Sequence, residues 1–143
     1  MGEERSHKLN CILLIDDDKA TNFLNEMILE EVGCAEKVTA VESGQEALDY
    51  LCESVNGNYP QPDLIFLDIN MPGMNGWEFM EKYELLPDNQ KGQIVVVMLT
   101  TSLNPDDEVK AKSLGFVEGF EKKPLNYDMA KGIISKYFPD RFK

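Results

Sequence analysis

The 143-residue chain has the size of one ordinary domain, and with 43% hydrophobic content it can bury a core without disulfides or structural metal. Its 26 acidic against 14 basic residues leave a formal charge of −12, whose field repels phosphate backbones and anionic lipid, so nucleic acid and membrane surfaces are excluded as direct partners. The cysteines Cys11, Cys34 and Cys52 are widely spaced, form no metal-ligand pattern and read as reduced thiols.

Residues 1–8 lack an apolar leader, and no stretch approaches the ~18 uninterrupted apolar residues of a membrane span, so they read as a tail on a cytoplasmic protein. Leu9–Ile15 is an apolar run that ends in Asp16-Asp17-Asp18. Behind it, Ala20, Phe23, Leu24, Met27 and Ile28 recur at helical spacing, with Asp18 as N-cap and Gly33 as stop. A second strand follows at Val38–Val41. Ser43-Gly-Gln-Glu46 has the form of a capping box, opening a helix whose inward stripe is Ala47, Leu48, Leu51 and Val55 and whose end is marked by Asn56-Gly57. Pro60 and Pro62 extend the chain into a third strand, Leu64–Leu67.

The third helix starts near Gly76, presents Trp77, Met80 and Tyr83 on one face, and breaks before Pro87-Asp88-Asn89. The fourth strand is Ile94–Leu99. Asn104-Pro105-Asp106-Asp107 supplies a cap, a proline at the first helical position and acid in the first turn of a short, weakly apolar helix ending near Leu114-Gly115. Val117–Phe120 is the fifth strand, and Met129, Ala130, Ile133, Ile134 and Tyr137 mark the last helix. Five strands alternating with five helices predict an α/β fold with a parallel sheet. The first, third and fourth runs are apolar throughout and belong in the centre, the second and fifth at the edges. So few residues follow Tyr137 that no output domain is expected.

Two strands that end in acid gather carboxylates at the carboxyl rim of such a sheet, where these folds place their ligands. Mg²⁺ takes one or two protein carboxylates and fills its shell with water and phosphate oxygens, and Asp17, Asp68 and the backbone carbonyl of Asn70 suit it, with Asp16 acting behind them or through water. Capping accounts for the Asp16–Asp18 run by itself equally well. Crowded carboxylates repel, so at least one is expected to hold its proton unusually tightly without a cation. Asp68, at a strand exit before Met71-Pro-Gly73, has the chemistry to form an aspartyl phosphate. Thr100 or Thr101 offers a hydroxyl at the same rim, and Ser102 reads as a helix cap. Lys123, before Pro124 at a place suited to a cis bond, offers a point charge.

Taken together, Asp16-Asp17, Asp68 within Leu-Asp-Ile-Asn-Met-Pro-Gly-Met-Asn-Gly, Thr100 and Lys123-Pro124 resemble the receiver domain of two-component response regulators, over roughly Leu9 to Phe138. The resemblance implies a (βα)5 doubly wound, flavodoxin-like fold for residues 9–143. It further implies Mg²⁺ held by Asp16, Asp17, Asp68 and the Asn70 carbonyl, and phosphotransfer to Asp68 from a sensor histidine kinase or phosphotransfer protein. Thr100 and Lys123 become phosphoryl ligands, and Thr100 with Phe120 the switch pair, although Phe120 lacks the hydroxyl of tyrosine. The Gly115–Gly119 turn reads one residue longer than the family's usual turn, which keeps Thr101 as a rival to Thr100.

The implied protein is a stand-alone, cytoplasmic response regulator that catalyses only its own phosphorylation and dephosphorylation. It controls a downstream effector through the face built by the fourth helix, fifth strand and fifth helix. A haloacid-dehalogenase-type phosphohydrolase would need a second Asp at position 70, where Asn70 stands, and no G-x-x-x-x-G-K-[ST] loop is present. A receiver-like binding module without phosphorylation is the remaining alternative.

Overall fold

A computed structural model describes residues 8–91, 95–101, 104–113 and 117–139. The elements run β1 (Leu9–Ile15), α1 (Lys19–Val32), β2 (Ala35–Val41), α2 (Gly44–Cys52), β3 (Leu64–Asp68), α3 (Gly76–Glu84), α4 (Asp88–Lys91), β4 (Val95–Thr100), α5 (Pro105–Ser113), β5 (Val117–Lys122) and α6 (Tyr127–Tyr137). The strands form one sheet in the order β2-β1-β3-β4-β5, all neighbours parallel, which is the flavodoxin-like doubly wound arrangement with β2 and β5 at the edges as expected.

Strand alternation divides the core into two layers. Leu13, Ile15, Ile65, Leu67, Val96 and Met98 face one side, packing on Leu51, Phe79 and Ala111 of the helices there. Ile12, Leu14, Phe66, Val97 and Leu99 face the other, against Leu29, Val32, Ile133 and Ile134. Among the described residues, no helix is long and apolar enough to cross a membrane. Ile94, Ser102, the Leu114–Gly115 stop, the first two residues of the Gly115–Gly119 turn and residues 1–7 of the tail lie outside the described residues.

Three expectations are corrected. Six helices are described, not five: the break at Pro87 is followed by the single turn α4, where the Pro87 carbonyl accepts from the Gln90 and Lys91 amides at 2.9 and 3.3 Å. Helix α2 stops at Cys52, and Val55 is 65% exposed rather than inward. There Asn56 and Gly57 adopt left-handed φ of 55° and 83°, so Val55 and Asn58 pair across a tight hairpin turn.

The largest correction concerns α1. Three residues of its apolar stripe, Phe23, Leu24 and Met27, face outward, exposed by 61, 56 and 50%, while Ile28 packs against the core and Asn22, Asn25, Leu29 and Val32 are buried. The anchors of the helix decide its rotation. Asn22 is tied to the ends of β1 and β2, Leu29 and Val32 pack into the core, and Gly33 at φ 70° closes the C-terminus by donating to the Leu29 carbonyl.

Candidate functional site

The β1 and β3 ladders end side by side, with Ile15 paired to Leu67, so the residues that follow leave the sheet at one rim. Asp16 and Asp68 are both buried there, 4 and 6% exposed, and Asp17 lies outside them, exposed. One carboxylate oxygen from each of the three lies within 4.8 Å of the others, a donor set of hard oxygens suited to Mg²⁺. Asn70 is exposed just past β3, and its backbone N–H donates to the Asp68 carboxylate.

Lys123 closes the cluster from the far side of the sheet. Its ammonium donates to Asp16 Oδ2 at 2.5 Å and lies 3.2 Å from Asp68 Oδ1. The lysine reaches them because β5 extends to Lys122, two residues past the expected end, and the Lys123 N–H donates to the Thr100 carbonyl at 2.6 Å. The Lys123-Pro124 bond is cis, as its position suggested.

The expected repulsion falls on Asp68. Burial first, and the Asp16 charge second, push its carboxyl up to about 6, against the Lys123 charge and the Asn70 N–H, which favour the anion. Burial alone would lower the Lys123 ammonium, but the hydrogen bond and charge of Asp16, with Asp68 behind them, hold it above its ordinary value. The pocket thus carries uncompensated negative charge, and its three carboxylates fit a divalent cation.

Local structure fixes these groups. Asp18 Oδ1 accepts from the Ala20 N–H at 2.9 Å, the cap read from sequence, while the Asp18 N–H itself donates to Asp16 Oδ1 at 2.9 Å. Capping and placement of the acid pair are therefore two jobs of one turn. Ser43 caps α2, but the Glu46 carboxylate turns to the Glu42 N–H instead of completing the box. The full capping box is formed by Asn75 and Glu78, starting α3 at Gly76. Gly76 is required by contact: a Cβ there would lie 2.8 Å from the Asp68 carbonyl oxygen and 2.9 Å from Ile69 Cα.

Thr100, at the end of β4, is buried at 1% exposure, whereas Thr101 is exposed and lines a groove of about 500 Å³ beside Leu24, Ile28 and Lys123. Phe120 is half-buried, paired in register with Met98, and borders a cavity of about 160 Å³ between α5 and α6. The residues read from sequence as acid pocket and lysine are thus brought together, and Thr100 stands at the same rim. Two contributors went unread: Gly76, which the Pro/Gly turn signalled only in general, and Asn22, hidden on the side of α1 opposite its apolar stripe.

An acidic pocket closed by a lysine, at the carboxyl edge of a 2-1-3-4-5 parallel sheet, defines a flavodoxin-like signalling domain of the receiver class. The model of the response regulator receiver domain family matches residues 12–134, and the chain belongs to that family. It is 32% identical over 137 residues to response regulator Rcp1 of Synechocystis sp., covering 92% of this chain and 91% of that protein. It is 28% identical over 128 residues to sporulation initiation phosphotransferase F of Bacillus subtilis, covering 90 and 93%. A hybrid signal transduction histidine kinase L of Dictyostelium discoideum is 30% identical over 139 residues, but the chain spans only 8% of it.

Among solved structures, a two-component response regulator from Cytophaga hutchinsonii superposes with a TM-score of 0.80 at 35% identity, over 90% of this chain and 96% of that one. Receiver domains are signalling domains that bind Mg²⁺ at an acidic pocket and interact with histidine kinases or phosphotransfer proteins and with effectors.

Proposed function

We propose that this receiver domain, assigned to residues 9–143, accepts a phosphoryl group on Asp68. The single observation that carries the reading is the convergence of Asp16, Asp17, Asp68 and Lys123 at one rim, with Lys123 3.2 Å from the acceptor carboxylate. An Asp68 oxygen attacks the phosphorus of a phosphohistidine, the P–N bond breaks, and the imidazole leaves as the acyl phosphate forms. Asp16, Asp17, Asp68 and the Asn70 carbonyl would hold Mg²⁺, which would supply charge neutralisation for the crowded oxygens. Lys123 pairs with the phosphoryl oxygens, and the Thr100 hydroxyl hydrogen-bonds to them.

The donor is a histidine kinase or phosphotransfer protein. Its histidine must come within bonding distance of Asp68, so the protein that carries it covers the surface around the rim. That surface includes the exposed Leu24, which with Ile28 lines the groove that shares Lys123 with the acid pocket. Drawing Thr100 toward the phosphoryl group, with Phe120 following, shifts a pre-existing equilibrium of the α5–β5–α6 face, where the effector docks. The cytoplasm, which keeps thiols reduced, suits the three free cysteines.

Intact-mass measurement after incubation with acetyl phosphate and Mg²⁺ tests the reading. One added phosphoryl group is expected on wild type and none on Asp68→Ala. An unlabelled wild type, or equal labelling of the variant, overturns it.

A further inference from the structure

Asn22 is an amide buried to 5% exposure at the end of the first turn of α1, and its hydrogen bonding is one-sided. Nδ2 donates to the Asp16 carbonyl at 2.9 Å and to the Val41 carbonyl at 3.1 Å, while Oδ1 is buried with no partner. A buried acceptor without a donor costs stability; an apolar side chain of similar size would remove that cost but would take from the Asp16 carbonyl its Asn22 donor. What the amide alone supplies is its grip on two carbonyls.

Both carbonyls lie where the β1–β2 ladder ends, at the Ile15–Val41 pair. The Val41 carbonyl also accepts from the Asp16 N–H at 3.2 Å, so Asn22 closes a link between the two strand exits. Asp16 is then held from every side: N–H to Val41, carbonyl to Asn22, Oδ1 to the Asp18 N–H at 2.9 Å and Oδ2 to Lys123 at 2.5 Å. The Asp16 carbonyl belongs to the peptide unit that joins Asp16 to Asp17. Its direction sets where the exposed Asp17 carboxylate can go.

We propose that Asn22 is a positioning residue for the cation site, clamping the Asp16–Asp17 peptide so that both carboxylates meet the narrow octahedral demand of Mg²⁺. The inference rests on the function proposed above, and it assigns to α1 a part in metal affinity. Groups that orient ligands from behind typically change metal affinity by about 10- to 100-fold when removed.

Asn22→Leu tests it, since leucine fills the space, favours helix and deletes both grips together with the orphan acceptor. Asn22→Val repeats the test with a smaller side chain. Three readouts are taken on the full chain: half-saturating Mg²⁺ from amide chemical shifts, acetyl phosphate labelling rate against Mg²⁺ concentration, and Tm in EDTA. Half-saturation about tenfold higher in both assays, with the labelling rate recovered at saturating Mg²⁺, supports the clamp. Wild-type half-saturation in both variants, or weakened binding that comes only with lowered Tm and a lowered plateau rate, overturns it. A wild type whose amides do not respond to Mg²⁺ removes the proposed function itself and the clamp with it.

Discussion

Asp68→Asn isolates what the acidic rim costs the fold. The Asp68 carboxyl rises from the ordinary 3.8 to about 6 in the folded protein. At about 1.4 kcal/mol per tenfold change in proton affinity, that rise corresponds to about 3 kcal/mol of destabilisation once the group is ionised. The sign follows from the direction: below about 4 both folded and unfolded chains hold the proton, and between 4 and 6 only the folded chain does. Stability from this group is therefore present at low pH and lost as pH rises through about 6. Asparagine keeps the shape, removes the charge and leaves Lys123 with Asp16 at 2.5 Å. For a chain of this length, about 3 kcal/mol corresponds to a Tm increase of roughly 6–12 °C. Thermal unfolding by circular dichroism in EDTA should show that gap at pH 7.5 and its near-disappearance at pH 4. Mg²⁺ at pH 7.5 should narrow it again, because binding stabilises the wild type by mass action. A variant that melts at or below wild type at pH 7.5 in EDTA would refute the reasoning.

Lys123→Met removes the cation next to Asp16 and Asp68, so the Asp68 carboxyl should titrate above its wild-type midpoint of about 6, followed by carboxyl-carbon NMR. Stripping a largely buried pair of one partner should also cost about 3 kcal/mol in urea unfolding at pH 7.5, and an unmoved midpoint would count against the lysine's role. Gly76→Ala places a methyl group 2.8 Å from the Asp68 carbonyl oxygen, and since both close neighbours are backbone, the strand exit must shift. Urea unfolding should show a loss of about 1–3 kcal/mol, and acetyl phosphate labelling should slow by about tenfold or more, although residue 76 carries no reactive group. Wild-type behaviour in both assays would mean that the contact relaxes freely.

The alternation of strands and helices was legible in the chain because it depends on local rules. Uniformly apolar runs at Leu9–Ile15 and Leu64–Leu67 mark strands covered on both faces, and the connectivity of parallel strands then sends Asp16, Asp17 and Asp68 to one rim. Caps at Asp18 and Asn104 were equally local, each a side chain accepting from an amide two residues on. The sequence alone therefore determined the fold class and the rim at which the proposed acceptor stands. Tertiary structure decided which face of α1 turns inward, the meeting of Lys123 with Asp16 across 107 residues, and the clearance at Gly76. Periodicity reports that a helix has an apolar side, but burial depends on the neighbours its anchors press it against. On α1 the grip of Asn22 and the packing of Leu29 and Val32 prevail over the stripe of Phe23, Leu24 and Met27, leaving that stripe facing solvent.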